Sequence, residues 1–511
     1  MKGRILVVAF GWLLFVFLCA AVWRLWLQPN REAAQAEADK QAHEQAIQST
    51  GSTSRYRTQI NFAYDSFSGY SILRSDTFGN NVGNKKLKVN FIDDGANYTE
   101  RLRGLQTGKY QMASFTIDAL IKASSELGDL PATVVAFIDE TRGADAMVGY
   151  KLAVSNIDVL NDPQVKFVLT PNSPSETLAR VVMSHFGLNN VSSKSFVEAK
   201  DAEDVYRRYR QSKPTDKLAF LVWEPYVTKM LENPNMQVLV DSSRFRGYIV
   251  DVIVASRDFL VKDEVAVRDF VESYLRSVYA YRETSAMQTL ISHDAQKAGQ
   301  PLNQSQIERL VKGIWWKNTI ENYAHMGLSQ DKPLQHVEDM IVNITNVLVS
   351  TGAIPADPTQ GRPNFLYYDK ILAGLRDANF YPGGSETLRQ DSDTLPVLSD
   401  EDWSKLTPVG TLQVPTIVFA RGTSRISEQS EITLNELIEK LKSWPQYYVM
   451  VKGNASLRGD IEANKRLAEE RAKAVEKYLL EHSISETRVK AVAVEPSGST
   501  DVVFQLGYMP Y

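Results

Sequence analysis

The 511-residue chain has one cysteine, Cys19, close to its N-terminus. Everything after it is built without disulfides, without a cysteine nucleophile and without a thiolate metal site. A chain this long can draw its stability from core burial alone. Histidine is scarce too, six in all, with no His-x-x-x-His spacing, and no Cys-x-x-Cys is present. No metal and no cofactor is expected from such a set. There is no Gly-x-Ser-x-Gly, Walker or zinc pattern either, so the expectation is a protein without enzymatic activity. An excess of positive charge is also missing: the formal net charge is −4. A nucleic-acid partner requires a basic surface, and none is expected here. Long hydrophobic runs are absent, with one exception.

That exception lies between Arg4 and Arg24, where the chain is uncharged and almost wholly apolar. The run of about 19 residues is long enough for one membrane-spanning helix. Lys2 and Arg4 precede it, and a positive N-terminal flank favours a cytoplasmic N-terminus. Trp23 and Trp26 suit interfacial anchors. The alternative is a cleaved signal peptide, with Cys19-Ala20-Ala21 as a small-residue cleavage site. The apolar core is longer than the ~7–15 residues usual for a signal peptide, which favours a retained anchor. Leu18 is too bulky for a lipid-attachment box at Cys19.

Residues 1–29 are thus read as an N-terminal anchor and residues 30–54 as a stalk. The stalk is rich in Ala, Glu and Gln and lacks Gly and Pro from Arg31 to Thr50. It suits a helix or a disordered polar linker. From about residue 55 to 381, strand-like runs alternate with helical ones. Lys88–Ile92, Thr133–Phe137, Lys166–Leu169 and Leu218–Val222 read as strands, Ser175–Phe186 and Ala202–Gln211 as helices. Such alternation predicts parallel sheets flanked by helices. Residues 382–407 are rich in Gly, Ser, Asp and Pro and read as a linker. Residues 408–511 form a further α+β unit, with strands at Val414–Phe419, Tyr447–Val451, Val489–Val494 and Asp501–Leu506. Leu434, Leu437, Ile438 and Leu441 mark one helix of that unit, and Leu467, Arg471, Val475 and Leu479 a second.

The order of patterns over residues 55–381 resembles the periplasmic substrate-binding proteins of the taurine, sulfonate, nitrate and thiamine-precursor type. Phe62–Tyr70 looks like the first strand and its ligand-facing turn, and Leu102–Ser114 like the helix and strand that follow. Phe137–Asp145 looks like a first crossing between lobes, and Val250–Ser256 like the return strand. Ser173–Thr177 opens a second-lobe helix, Trp223-Glu224-Pro225-Tyr226 is distinctive, and Gly313–Thr319 sits in the late helical part. The resemblance implies a two-lobed α/β fold with a small-molecule ligand between the lobes, an oxyanion or a small organic solute. Physics points to the same place, because ligands of open α/β sheets bind beyond the carboxyl ends of strands, near helix N-termini. Candidate ligand contacts are Ser66, Ser68, Ser114, Thr116, Ser173 and Ser175, with Trp223 and Tyr226 as aromatic walls. Each hydroxyl residue equally suits a helix cap. One departure is the turn Gly108-Lys109-Tyr110-Gln111, which lacks the acidic residue such proteins often carry there. The pyrimidine-synthesising cousins of this fold need a cysteine cluster, which is absent.

Val449–Leu479 resembles the peptidoglycan-binding OmpA-like domain. Its pattern is a strand ending Gly-His-Thr-Asp, then Asn, then a helix carrying Leu-Ser-x-x-Arg-Ala. Here the strand ends Gly453-Asn454-Ala455-Ser456, Asn464 stands at the Asn position, and Leu467–Ala472 matches the helix. The resemblance implies Asn464, Arg471 and Ser456 as the peptidoglycan-binding positions. Arg471 can pair with a carboxylate. Ser456 stands where the family has the aspartate that neutralises an ammonium, and Ser499-Thr500-Asp501 replaces a usual Asn-Arg-Arg segment. Together these readings give a two-lobed periplasmic-binding-protein fold, an OmpA-like domain and one N-terminal transmembrane helix. The expected function is membrane-anchored solute binding on the periplasmic face of the bacterial inner membrane, with the C-terminal module on peptidoglycan or an envelope complex. The alternative is a structural scaffold whose two sites are degenerate.

Overall fold

A computed structural model of the protein describes residues 11–18, 23–24, 28–52, 54–224, 226–299, 301–329, 334–384, 395–493 and 501–508. The chain divides into two compact units, Met1–Arg57 and Thr58–Tyr511. In the first, residues 11–18 are helical, and Gln28–Thr50 forms a 23-residue helix. Pro29 falls in its first turn, where a missing N–H costs nothing, and the helix stops at Gly51. Most of the apolar run Ile5–Trp23 lies outside the described residues. Among the described residues no helix is long and apolar enough to cross a membrane.

Among the described residues the second unit carries fifteen strands. They are β1 (Thr58–Tyr64), β2 (Leu87–Asp93), β3 (Met112–Thr116), β4 (Ala132–Thr141), β5 (Asp145–Tyr150), β6 (Lys166–Leu169), β7 (Phe196–Glu198), β8 (Leu218–Trp223), β9 (Met236–Asp241), β10 (Val250–Ser256), β11 (Ile314–Trp316), β12 (Thr407–Leu412), β13 (Tyr448–Gly453), β14 (Val489–Ala493) and β15 (Val502–Tyr508). They build three sheets, ordered β11-β4-β10-β3-β1-β2, β7-β6-β8-β5-β9 and β12-β15-β13-β14. The first two sheets are the centres of two lobes. The chain crosses between them twice, at residues 142–144 after β4 and at residues 242–249 before β10. The first crossing falls within Phe137–Asp145, where the sequence pattern placed it, and β10 has the bounds of the expected return strand.

The sheets are mixed, not parallel as expected. β1 pairs parallel with β2 and β3, but β10 runs antiparallel to β3 and β4, and β5 antiparallel to β8 and β9. The reason is directional: one crossing leaves the first lobe and the other re-enters it, so the strands that carry them run in opposite senses. Ile314–Trp316, expected within helical sequence, adds a short edge strand on β4. Every residue of β4 and β10 is buried, as in strands covered on both faces. The helix Val337–Ser350 packs on Ile117–Leu127 of the first lobe and on Pro174–His185 of the second, tying the two together. From the second-lobe helix Arg180 also donates to the Thr351 carbonyl at 3.0 Å.

In the C-terminal module, helices Glu428–Lys442 and Ile461–Glu481 cover one face of the sheet. Gly453 at the end of β13 is required by close approach, since a Cβ there would lie 2.1 Å from the Ala468 carbonyl oxygen. The other face is covered by Trp403 and Leu406 against Tyr448 and Met450, with Leu395 and Leu398 beside them. Residues 395–406, expected as the end of a linker, thus pack on this sheet. Val414–Phe419 is not a strand, contrary to expectation. Pro415 breaks its ladder of N–H donors, and only Phe419 makes a bridge, to Ile426. The edge position belongs to β12, which pairs with β15.

The module is seated on the second lobe and its crossing. The Gln413 N–H donates to the His185 carbonyl at 2.8 Å, and the Arg246 N–H to the Ser443 carbonyl at 2.8 Å. Trp444, fully buried, lies among Phe186, Phe245 and His185, with ring centroids 5.3–5.4 Å away. One continuous hydrophobic cluster runs from Ile60 and Phe62 in the first lobe to Leu434, Trp444 and Phe504 in the module.

Candidate functional site

A cavity of about 290 Å³ opens between the lobes. The first lobe contributes Asn97, Tyr98, Asp118 and Lys122, and the second Asn172, Ser173, Glu176, Thr177 and Arg180. The sequence sets these side chains at the starts of helices. Asn97 caps Tyr98–Gln106 by accepting from the Glu100 N–H, Asp118 lies in the first turn of Ile117–Leu127, and Glu176 in that of Pro174–His185.

Two contacts latch the lobes beside the cavity. The Thr177 hydroxyl donates to Asp118. Lys122 pairs with Glu176 Oε2 at 2.8 Å. Glu176 also takes Arg180 through Nε at 2.8 Å and Nη2 at 2.6 Å, and the Asn172 N–H at 2.7 Å. Burial alone would raise the Glu176 pKa, but Lys122 and Arg180 override it and hold the carboxyl below its usual value. A third link between the lobes is Arg309 to Glu224 at 3.5 Å.

Behind Asp118 stands a group of buried carboxylates on the crossing strands. Asp139 of β4 and Asp251 of β10 are register partners. Tyr70 donates to Asp251, and the backbone of Gly69 lies against Asp139, where a Cβ would meet the carboxylate. Burial pushes Asp139 up to about 8 against the pull of Lys317. Asp251 is raised as well, by burial and then by the negative charge of Asp139. Burial pushes Asp145 up to about 7, against the Thr141 hydroxyl beside it, with Asp118 and Glu224 adding to the rise. Asp118 is also raised by burial, with the Thr177 hydroxyl and Lys122 opposing. Glu140 differs: Lys317, 2.7 Å away, and Arg142 outweigh its burial and hold it well below the carboxylate range. Asp65 and Asp94 are paired with the buried Arg101. The cationic partners near this group are thus committed, and Asp118 Oδ1, though buried, accepts no hydrogen bond among the described residues.

The sequence-predicted contacts separate into groups. Ser173 lines the cavity, and its hydroxyl donates to the Thr170 carbonyl at 2.7 Å. Ser114, Thr116 and Ser175 are buried in the lobes, and the Ser114 and Ser175 hydroxyls have no hydrogen-bond partner among the described residues. Thr116 and Ser173 occupy N-cap positions, yet neither side chain caps its helix. Ser66 is exposed and Ser68 half-buried on the turn after β1. Trp223 and Tyr226 pack on the second lobe's own cluster, Tyr226 with its ring 5.6 Å from Tyr206, and neither lines the cavity. Pro225 lies outside the described residues. Reading hydroxyl residues at turns missed Asp118, Lys122, Glu176 and Arg180. The available signal was the placing of acids in first helical turns, at Thr116-Ile117-Asp118 and Ser175-Glu176-Thr177.

In the C-terminal module, Asn464 donates to the Ser456 carbonyl at 3.1 Å and the Arg458 carbonyl at 2.8 Å, closing the loop after β13. Arg471, two turns along the same helix, donates to the Thr423 carbonyl at 3.1 Å and lies over the Phe419 ring. The Ser456 hydroxyl accepts the Arg458 N–H at 3.0 Å. Asp460 caps the helix Ile461–Glu481 and is spent on the Ala463 N–H. Of the segment Ser499-Thr500-Asp501, only Asp501 is among the described residues, and it holds Asn454 at 2.8 Å.

The OmpA family model matches residues 418–505, so the chain carries an OmpA domain there. No curated protein matches the chain. Among solved structures, the chain is similar to the periplasmic aliphatic sulphonate binding protein SsuA from Escherichia coli, at 13% identity and a TM-score of 0.46, covering 62% of this chain and 99% of that one. It is similar to the periplasmic nitrate-binding protein NrtA from Synechocystis PCC 6803, at 10% identity and a TM-score of 0.47, covering 63% of this chain and 88% of that one. It is also similar to a Candida albicans gene product with the generic periplasmic binding protein fold, at 13% identity and a TM-score of 0.45, covering 66% and 99%.

Proposed function

We propose that this protein is a non-enzymatic solute-binding protein of the cell envelope, with a two-lobed body that holds a small molecule and a C-terminal module that attaches to peptidoglycan or an envelope partner. The observation that carries the reading is the cavity between the lobes, walled by helix starts from both and lined by Asp118, whose buried Oδ1 has no hydrogen-bond partner among the described residues. Pockets of this kind, concave and with a few convergent polar groups, are the usual small-molecule sites. The apolar run Ile5–Trp23 would tether the body to the inner membrane from the periplasmic side. Native mass spectrometry of the purified full chain tests the first part: a small molecule retained by the folded protein is expected. A protein of bare mass, whose melting no solute shifts, would favour the scaffold reading.

The wall part rests on the OmpA domain and on Arg471. A wall peptide offers both an ammonium and a carboxylate, and the Ser456 end of this site supplies no carboxylate for the ammonium. Retention of the protein on isolated sacculi is therefore expected to be weak and to rise in Ser456→Asp. Equal retention of wild type, Ser456→Asp and Arg471→Ala would point to a protein partner instead.

A further inference from the structure

Resting on the solute-binding reading above, we infer that the ligand of the interlobe cavity is a small organic ammonium ion, whose N–H groups donate to Asp118 Oδ1. Three observations converge. Asp118 lines the cavity, and its buried Oδ1 accepts no hydrogen bond among the described residues, while Oδ2 takes Thr177. An acceptor buried in that state is costly unless a donor arrives.

The cations around it are already committed. Both cations on the wall, Lys122 and Arg180, are spent on Glu176, as is the Asn172 N–H. Lys317 is held by Glu140 and Arg101 by Asp65 and Asp94, so neither is free to receive an anion. An oxyanion entering this cavity would meet the Asp118 carboxylate and no uncommitted cation on the wall. An ammonium would meet an unpaired acceptor.

The cation is organic. Among the described residues no three His, Cys, Asp or Glu side chains converge to hold a metal ion. The cavity volume suits a small ligand rather than a peptide. Tyr98 and Ala119 offer apolar wall for a short carbon chain, while Asn97 and Ser173 stand as further polar contacts.

The test is thermal unfolding of the full chain with millimolar butylammonium, ethanolammonium or putrescine, against butanesulfonate or nitrate, all at one ionic strength. Binding to the native state raises Tm. The amines are expected to raise it and the anions to leave it unchanged. Asp118→Asn keeps the side-chain shape and an acceptor for Thr177, and is expected to weaken amine binding about tenfold or more. Asp145→Asn, behind Asp118 and off the cavity wall, is expected to weaken it by less. A rise with butanesulfonate or nitrate and none with amines would overturn the inference and leave solute binding standing. No rise with any probe, together with a bare native mass, would remove both. Amine affinity equal in wild type and both variants would overturn the assignment to Asp118.

Discussion

His185 uses both ring nitrogens where no water reaches. The Trp444 Nε1–H donates to Nδ1, and Nε2 lies 3.0 Å from the Tyr248 hydroxyl. Because Nδ1 accepts, the proton sits on Nε2, and protonating Nδ1 would break the bond to Trp444. Burial, with Lys440 nearby, drops its pKa to about 3. In the unfolded chain an ordinary histidine takes its proton near pH 6.5. Between those values the unfolded state binds more protons, so this residue's stabilisation is complete above about pH 6.5 and is lost as pH falls toward 3. Denaturant midpoints measured from pH 7 down to about pH 4 should fall less steeply for His185→Gln than for wild type. An unchanged slope would show that His185 protonates without penalty. The buried carboxylates act in the opposite sense. Asp139 and Asp145 are raised to about 8 and about 7. Their contribution is present below about pH 4 and lost as pH rises through those values. Asp145→Asn is therefore expected to raise Tm more at pH 8 than at pH 5, by an amount on the order of 1 kcal/mol or more in stability. Stabilisation independent of pH would contradict the assignment.

At the scale of elements, the legible parts are those whose pattern is set locally. Lys166–Leu169 and Ala202–Gln211 have the bounds the sequence suggested, because an apolar run and a 3.6-residue period each need only their own neighbours. β12 was illegible for the converse reason. Pro408 opens the expected α+β unit, but the first strand expected there is Val414–Phe419; an edge strand tolerates Pro, and the register shifts between Pro408 and Gly410. Gly410 also faces Phe186, leaving no room for a side chain, which nothing near it in sequence announces. The site shows the same divide. Hydroxyl residues at strand-to-helix turns are local signals, and Ser173 does line the cavity. Asp139 and Asp251 become one feature only when β4 and β10 lie side by side. Gly453 joins both levels, since it ends a strand and admits a helix. Gly453→Ala is expected to cost about 1–3 kcal/mol, because the Ala468 backbone has to move. It should also disturb the Asn464-closed loop, which chemical shifts of residues 454–464 would report. A loss under about 0.5 kcal/mol would mean that the helix lifts freely from the sheet.

Across the whole unit Thr58–Tyr511, the C-terminal module packs on the two segments that matter most to the body. Phe245 and Tyr248 belong to the second crossing between lobes, and His185 and Phe186 end the helix whose first turn walls the cavity. Trp444 packs its ring against Phe245, Phe186 and His185, and His185 in turn bonds Tyr248. Arg488 fixes the segment that presents it, donating to the Leu441 and Tyr447 carbonyls at 2.8 and 2.9 Å and to that of Trp444. With one hydrophobic cluster running through the junction, body and module are expected to unfold in a single transition. Trp444→Ala removes a fully buried ring and leaves His185 Nδ1 without its donor. The expected loss is about 3–5 kcal/mol, and the melting curve should split in two. Trp444→Phe, which keeps much of the packing but not the hydrogen bond, is expected to lose less and to retain one transition. Calorimetry of the three proteins decides the matter. Two transitions in wild type would show that the module is only resting on the lobe, and one transition in all three would place the coupling elsewhere than at Trp444.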